Sequence, residues 1–171
     1  MLTIACDIDG VLQPMDPLQT RHLSSLIKLP DVQHGTILTQ HAADALREWQ
    51  RAPGVRLLWH TTWRSPYTDD LTEALQMPPI DHFATDEQFL RPVPGFMWWK
   101  LAAVVHWLRH TATADDHLIW IDDDISDARE NGEISDLVIT DPRLHLISPS
   151  LELGLMPQDI GEIQQLIQLL A

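Results

Sequence analysis

Short apolar runs alternate with longer helical patterns along the chain, and this alternation limits the possible folds more than any other feature. The apolar, β-prone runs lie at residues 2–6, 55–60, 81–84, 117–121 and 137–140. The helical patterns between them begin near Thr39 or after Pro66, Pro94 and Pro157. Such alternation is typical of a parallel sheet with helices on both faces. The sequence therefore predicts an α/β, three-layer Rossmann-like fold with five parallel strands in the order 5-4-1-2-3.

One segment, residues 13–38, interrupts the alternation. It contains three prolines and no sustained period, and connections of this length in compact domains are usually functional or disordered. We interpret it as a flap, for which a β-hairpin is one possible form, lying over the C-terminal end of the first strand. Because the 171 residues include no internal repeat or linker, we expect one domain spanning residues 1–171.

The charge of the chain narrows the classes of partner. A formal net charge of −14 repels phosphate backbones and anionic lipids, so we expect no extended nucleic-acid partner and no membrane partner. No apolar stretch reaches the length of a membrane span, and the start of the chain lacks the pattern of a secretion signal. A single cysteine, Cys6, gives no internal disulfide. These features predict a soluble, cytoplasmic protein.

Acidic and hydroxyl side chains follow the predicted strands at the point where each strand ends. Asp7 and Asp9 follow the first strand, Thr61 and Thr62 the second, and an acidic run at residues 122–124 the fourth. Ligands of open parallel sheets bind beyond these carboxyl ends, so we expect the side chains to converge. Two like charges one residue apart resist joint ionisation unless a cation lies between them. Oxygen ligands without His or Cys suit Mg²⁺.

These residue types are suited to phosphoryl transfer. An ionised Asp7 beside Mg²⁺ can attack phosphorus and form an aspartyl-phosphate, while Asp9 can protonate the leaving alcohol and later deprotonate water. The charge on the transferring group needs fixed donors, which Thr61, Lys100 and loop N–H groups near Gly10 and Thr62 can supply. Gly10 also allows the backbone to approach a ligand closely.

Four stretches of the chain, in order, resemble the four motifs of the haloacid dehalogenase superfamily in its phosphatase branch. They are DIDGVL, LLWHTTWR, WWKLAAV and LIWIDDDISD. The resemblance implies that Asp7 is the nucleophile and a metal ligand, and that Asp9 is the general acid/base whose backbone carbonyl also binds Mg²⁺. It further implies that Thr61 and Lys100 bind the phosphate.

The resemblance also describes the fourth motif. There the second carboxylate, Asp123, usually binds Mg²⁺ directly and the first, Asp122, acts mainly through water; the sequence leaves open which of them is the direct ligand. Asp127 would support the site from further away. Halide removal is disfavoured, because the resemblance implies that dehalogenating members lack an acidic residue at the position of Asp9.

Substrate specificity is not encoded in any motif that we can interpret. The chain has room only for the flap, so it resembles a capless or minimally capped member with a small phosphorylated substrate, or a bulky one admitted by an open site. Trp63 and Trp98 are candidates for stacking on a substrate ring. Two alternatives stay open: a catalytically silent binding or regulatory module on the same fold, and a phosphotransferase that passes phosphate to an alcohol.

Overall fold

The computed structural model describes residues 1–20, 25–29, 32, 35–85, 98–134, 138 and 140–171. The strands in this part of the chain are β1 (Leu2–Cys6), β2 (Leu26–Leu29), β3 (Thr36–Thr39), β4 (Val55–Trp59), β5 (His117–Ile121) and β6 (Leu144–Ile147). The helices are α1 (Pro17–Thr20), α2 (Gln40–Arg51), α3 (Tyr67–Ala74), α4 (Trp99–His110), α5 (Ile125–Glu130) and α6 (Pro157–Leu170). None of these described helices is long and apolar enough to cross a membrane.

A parallel sheet of four strands in the order β4-β1-β5-β6 forms the centre of the described fold. All five residues of β1 are buried, as expected for a strand that has neighbours on both sides and helices on both faces. Cys6, the last residue of β1, lies opposite Trp59 of β4 and Ile121 of β5. The residues that directly follow these three strands therefore lie at the same edge of the sheet.

Two apolar clusters cover the two faces of the sheet. On one face Ile4 and Cys6 pack with residues of α2 and α6, among them Leu46 and Ile163. On the other face Ala5 and its neighbours pack against α4 and α5. Neighbouring residues of a strand point to opposite faces, so a strand buried on both sides must be mostly apolar, and Thr3 is the one polar residue of β1. The three-layer α/β arrangement predicted from the sequence is confirmed.

The predicted fifth strand is placed differently in the structure. Residues 137 and 139 of the predicted run 137–140 lie outside the described residues, and the strand beside β5 is β6. Its sequence, LHLI, carries His145 in the middle and has two half-buried positions. An edge strand tolerates such polar interruption, which is why its apolar signal is weaker than that of a central strand.

The predicted third strand, residues 81–84, forms a single bridge rather than a strand. His82 bridges Trp59 in parallel orientation, and Trp59 donates to the Asp81 carbonyl (2.8 Å) while Phe83 donates to the Trp59 carbonyl (2.8 Å). The segment therefore lies beside β4, as predicted, but leaves the sheet after one contact. The five-strand order is replaced by the order of four strands given above.

The predicted flap segment contains an antiparallel pair of strands, as in the β-hairpin named above as one possible form. β2 and β3 pair antiparallel, with Leu26 opposite Thr39 and Leu29 opposite Thr36. Ile27, Leu29 and Leu38 pack on the apolar cluster of the α2 face. β3 then ends at Thr39, whose hydroxyl accepts from the Ala42 N–H and caps α2. Parts of the segment, at residues 21–24, 30–31 and 33–34, lie outside the described residues.

Candidate active site

Asp7 is the first residue beyond β1 and lies at the centre of the candidate site. Its N–H donates to the Ile121 carbonyl (3.0 Å), which extends the pairing of β1 with β5 by one residue. Its Oδ1 accepts from the Ile8 N–H (2.7 Å), and the residue is only 6% exposed. A carboxylate so buried requires compensating partners.

Lys100, at the start of α4, provides the compensating charge. Its Nζ donates to Asp7 Oδ2 and to Asp122 Oδ2, the latter at 2.7 Å. All three side chains are nearly inaccessible to solvent. Burial alone would lower the pKa of Lys100, but the negative charges of Asp122 and Asp7 outweigh it and raise that pKa above its ordinary value. The lysine is therefore a permanent cation between two carboxylates that come from different strands.

Carboxylate oxygens of Asp7, Asp122 and Asp123 lie within 4.8 Å of one another. Burial raises the pKa of Asp122, with the charge of Asp7 adding to the effect and Lys100 opposing it. Burial, together with repulsion from Asp124 and Asp7, raises the pKa of Asp123 to about 6. When all three carboxylates are ionised, the one ammonium leaves two negative charges uncompensated, so the donors and the charge of this group both fit a divalent cation.

Asp122 and Asp123 differ in how their oxygens are used. Asp122 Oδ2 accepts from Lys100 and from the Trp120 indole N–H (3.3 Å), and its Oδ1 accepts from the Asp124 N–H (3.2 Å). Asp123 is half-buried, and its backbone carbonyl accepts from the Ser148 hydroxyl (3.2 Å). The occupied oxygens of Asp122 favour Asp123 as the carboxylate that is open to a cation.

Gly10 gives Asp123 the space it needs. It adopts a positive φ of 68°, and a Cβ built there would overlap the Asp123 carboxylate. Its N–H donates to the Gln13 carbonyl (2.9 Å). The requirement for glycine at this position therefore comes from the backbone turn and from the close approach of Asp123, and its N–H is already occupied within the turn.

The second predicted motif follows β4. Thr61 is fully buried, and its Oγ1 accepts from the Trp63 backbone N–H (3.3 Å), whereas Thr62 is exposed. Within the described part of the chain, no acceptor is assigned to the Asp9 or Thr62 backbone N–H. Arg64 donates to the Thr61 carbonyl (2.9 Å) and thereby braces the loop.

Asp9 lies outside the group of three carboxylates. It is half-buried, and its Oδ2 accepts from the Trp63 indole N–H (2.9 Å). Trp98, the other predicted stacking residue, lies against Trp120, with ring centroids 4.8 Å apart. Trp98 and Asp127 also line an open cavity of about 340 Å³ beside the site, together with Asp124, Ala128, Asn131 and Glu133.

His60 connects two of the predicted motifs, a role that the sequence does not reveal. It is fully buried and follows β4, and its Nε2 lies 3.1 Å from the Lys100 carbonyl. The carbonyl can only accept, so Nε2 carries the proton. The rings of Phe83, Trp99 and Trp120 surround the imidazole. Burial, and then the charge of Lys100, lower the pKa of His60 to about 3.

A neutral buried His60 makes the fold sensitive to acid. Below about pH 6.5 the unfolded chain protonates this residue while the folded chain does not, so stability falls as pH falls. Between pH 7.5 and pH 5.0, we expect the free energy of unfolding of the wild type to fall by about 2 kcal/mol more than that of His60→Gln. Urea unfolding at both pH values measures this difference. His106→Gln, which removes an exposed imidazole from α4, serves as the control. If the free energy of unfolding of His60→Gln fell with pH as steeply as that of the wild type, the assignment of a neutral, buried His60 would be contradicted.

The fold of the chain is also found in solved structures. The HAD domain of effector protein Lem4 from Legionella pneumophila is similar at 17% identity and a TM-score of 0.58, with 98% of this chain and 94% of that chain covered. An inactive mutant of the same domain is similar at 16% identity and the same TM-score, covering 98% and 93%. At this identity the likeness concerns the fold. No curated protein matches the chain.

A family model described as the HAD domain in Swiss Army Knife RNA repair proteins matches residues 3–158. This range includes the β1 carboxylates, the loop after β4, Lys100 and the acidic run after β5. The chain therefore belongs to the HAD superfamily, and within it to the family of HAD domains described from Swiss Army Knife RNA repair proteins.

Proposed function

We propose that this chain is a Mg²⁺-dependent phosphohydrolase that cleaves phosphate monoesters through an aspartyl-phosphate on Asp7. The observation that carries the proposal is the buried ion group formed by Lys100 with Asp7 and Asp122, with Asp123 beside it. An additional carboxylate next to two that already share one cation is electrostatically unfavourable unless a further positive charge is bound, because like charges raise one another's pKa. Perturbed carboxylates at the edge of a sheet are typical of catalytic sites.

Asp7 is the nucleophile in this proposal. An Asp7 oxygen forms a bond to phosphorus as the bond from phosphorus to the ester oxygen breaks, and Asp9 gives its proton to the leaving alcohol. Water then attacks phosphorus, Asp9 takes the proton from that water, and the bond between phosphorus and Asp7 breaks to release phosphate. The first step requires an ionised and immobile Asp7, and in the second step Asp7 leaves phosphorus as a carboxylate; the bonds from Ile8 and Lys100 support the carboxylate in both cases.

Mg²⁺ would be held by the carboxylates of Asp7 and Asp123, by the backbone carbonyl of Asp9, and by Asp122 through water. When bound, it neutralises the charge of the nucleophile and of the phosphate. Lys100, the Thr61 hydroxyl and the N–H groups of Asp9 and Thr62 then bind the phosphate oxygens. A hydroxyl can accept and donate at the same time, so Thr61 Oγ1 can keep the bond from the Trp63 N–H while it donates its proton to the phosphate.

The name of the family suggests which phosphorylated substrates to test first. Members are described from RNA repair proteins, so the terminal phosphate of an RNA end is a reasonable first substrate. The net charge of −14 argues that the chain contacts only the end of such a molecule and not an extended backbone. A small phosphorylated metabolite would satisfy the same site.

Two alternatives lead to different measurements. A catalytically silent binding or regulatory module would show no turnover of any phosphate ester, although the complete set of carboxylates and the lysine argue against it. A phosphotransferase would pass phosphate to an added alcohol faster than to water. Product analysis in the presence of glycerol separates this activity from hydrolysis.

Removal of the metal is expected to abolish activity. We expect turnover of an aryl phosphate, and of 3′- or 5′-phosphorylated oligoribonucleotides, to require Mg²⁺ and to stop in EDTA. At a Mg²⁺ concentration of 100 times Kd, binding should also add about 2.7 kcal/mol to the free energy of unfolding. Asp123→Asn should remove this stabilisation and lower kcat by about 100-fold or more.

Glu130→Gln provides the matched control for Asp123→Asn. It removes one negative charge from the exposed end of α5, the helix that follows the acidic run, and lies outside the carboxylate group. It should leave both the Mg²⁺ stabilisation and the turnover close to those of the wild type. Equal Mg²⁺ stabilisation of Asp123→Asn and the wild type would contradict the assigned metal site, and an active wild type in EDTA would contradict the metal dependence.

A further inference from the structure

Trp63 connects two residues of the candidate site that lie far apart in the sequence. Its indole N–H donates to Asp9 Oδ2 at 2.9 Å, and its backbone N–H donates to Thr61 Oγ1 at 3.3 Å. Trp63 is 8% exposed and belongs to the apolar cluster that also contains Ile8 and Leu12. The indole N–H therefore reaches Asp9 from a side chain that is otherwise buried in the apolar core.

The indole bond restricts Asp9 without using all of its hydrogen-bonding capacity. An indole N–H can donate but not accept, so it binds the carboxylate through one oxygen only. A hydrogen bond to a charged acceptor is stronger than one between neutral groups. With Oδ2 bound to Trp63, Oδ1 is the oxygen available to the ester oxygen of the substrate. A half-buried aspartate without this partner would sample several rotamers.

The two bonds of Trp63 can be separated by mutation. The bond to Thr61 comes from the backbone, so every residue except proline at position 63 retains the donor. The bond to Asp9 comes from the indole, so Trp63→Phe removes it while keeping an aromatic ring in the apolar cluster. Trp63→Phe therefore isolates the effect on Asp9 from the effect on the phosphate-binding hydroxyl.

We propose that Trp63 is a positioning residue that orients the Asp9 carboxylate for proton transfer to the leaving group. The inference rests on the proposed function, because Asp9 needs a fixed direction only if it exchanges a proton with the substrate. General acid catalysis contributes most when the leaving group is a poor one, such as an alkoxide, and least when it is a stable anion.

Dependence on the leaving group provides the test. In Trp63→Phe we expect kcat/KM for an alkyl phosphate to fall by about 30- to 100-fold. For 2,4-dinitrophenyl phosphate, whose leaving group needs no proton, the loss should stay below about 3-fold. Because kcat/KM includes only steps up to formation of the phosphoryl-enzyme, slow hydrolysis of that intermediate does not mask the effect. Asp9→Asn should show the same selectivity with a larger loss.

A matched control and a second measurement separate positioning from a purely structural role. Trp107→Phe makes the same exchange on α4, where Trp107 lies against Phe83, and should leave both substrates unaffected. In ¹⁵N–¹H spectra, the indole N–H resonance of Trp63 is identified by its absence from the spectrum of Trp63→Phe. We expect the same resonance to shift in the spectrum of Asp9→Ala. The resonances of the buried indoles of Trp49 and Trp59, which have no acceptor among the described residues, should stay in place.

The outcomes distinguish this inference from the proposed function. Two results would overturn the positioning role alone. The first is an equal loss of kcat/KM for the two substrates in Trp63→Phe. The second is no loss for the alkyl phosphate in Trp63→Phe, while Asp9→Asn loses activity selectively on that substrate. A Trp63 indole resonance that does not respond to Asp9→Ala would also overturn it. A wild-type chain without turnover of either ester would contradict the proposed function itself.

Discussion

Asp7→Asn is expected to abolish turnover, with kcat at least about 10,000-fold below that of the wild type. The amide has nearly the same shape as the carboxylate but is a much weaker nucleophile, so no aspartyl-phosphate forms. The substitution removes one of the two carboxylates that bind Lys100, and Asp122 remains as its partner at 2.7 Å. The fold should therefore persist while the chemistry is lost.

Acid quenching during turnover of a ³²P-labelled substrate measures the intermediate directly. We expect a labelled protein in the wild type, with the label on Asp7, and none in Asp7→Asn. Far-UV circular dichroism and urea unfolding confirm that the variant is folded, and Glu130→Gln again serves as the charge-matched control. Turnover of Asp7→Asn at a rate near that of the wild type, or a label on another residue, would contradict the assignment of the nucleophile.

Replacement of Lys100 by Met should be the most destabilising change in the candidate site. It leaves Asp7 and Asp122 buried without their shared cation, and loss of one partner from a buried ion pair typically costs about 3–5 kcal/mol. Urea unfolding at pH 7.5 in EDTA measures the loss without compensation from a metal. Activity should fall as well, because the same ammonium binds the nucleophile.

The pH dependence of this loss is a more specific test than its size. In the wild type, burial already raises the pKa of Asp122 and Lys100 opposes the rise, so removal of the lysine raises that pKa further. A folded-state pKa above the unfolded value means that the folded chain binds more protons. The deficit of Lys100→Met should therefore shrink as pH falls, by about 1 kcal/mol or more between pH 7.5 and pH 5.5.

The chain offers a matched control, because Lys28 is its only other lysine. Lys28 lies in β2 and is exposed, so Lys28→Met should change the free energy of unfolding by less than about 0.5 kcal/mol. A Lys100→Met variant as stable as Lys28→Met would contradict the buried ion group. A deficit independent of pH would show that lost packing, and not the uncompensated carboxylates, causes the destabilisation.

The central strands were predictable because their physical situation leaves a strong pattern. β1 and β5 have the predicted bounds, and β4 ends one residue before the predicted end. A strand with neighbours on both sides and helices on both faces must be apolar over most of its length. Edge strands need not be apolar along their whole length, so the apolar pattern does not predict β6, which contains His145. The same pattern predicts a strand at residues 81–84, where the structure has a single bridge.

Four ordered motifs were enough to predict the HAD superfamily. The three-layer architecture and the residues that follow the central strands were also predictable, because they depend on local apolar runs and on the rule that parallel strands present their carboxyl ends at one edge. The contacts among those residues depend on how the separate elements pack in the folded chain. Lys100 meets Asp7 and Asp122, His60 meets the Lys100 carbonyl, and Trp63 meets Asp9. Such contacts join separate elements, and no local pattern specifies which donor reaches which oxygen until packing has set the distances between them.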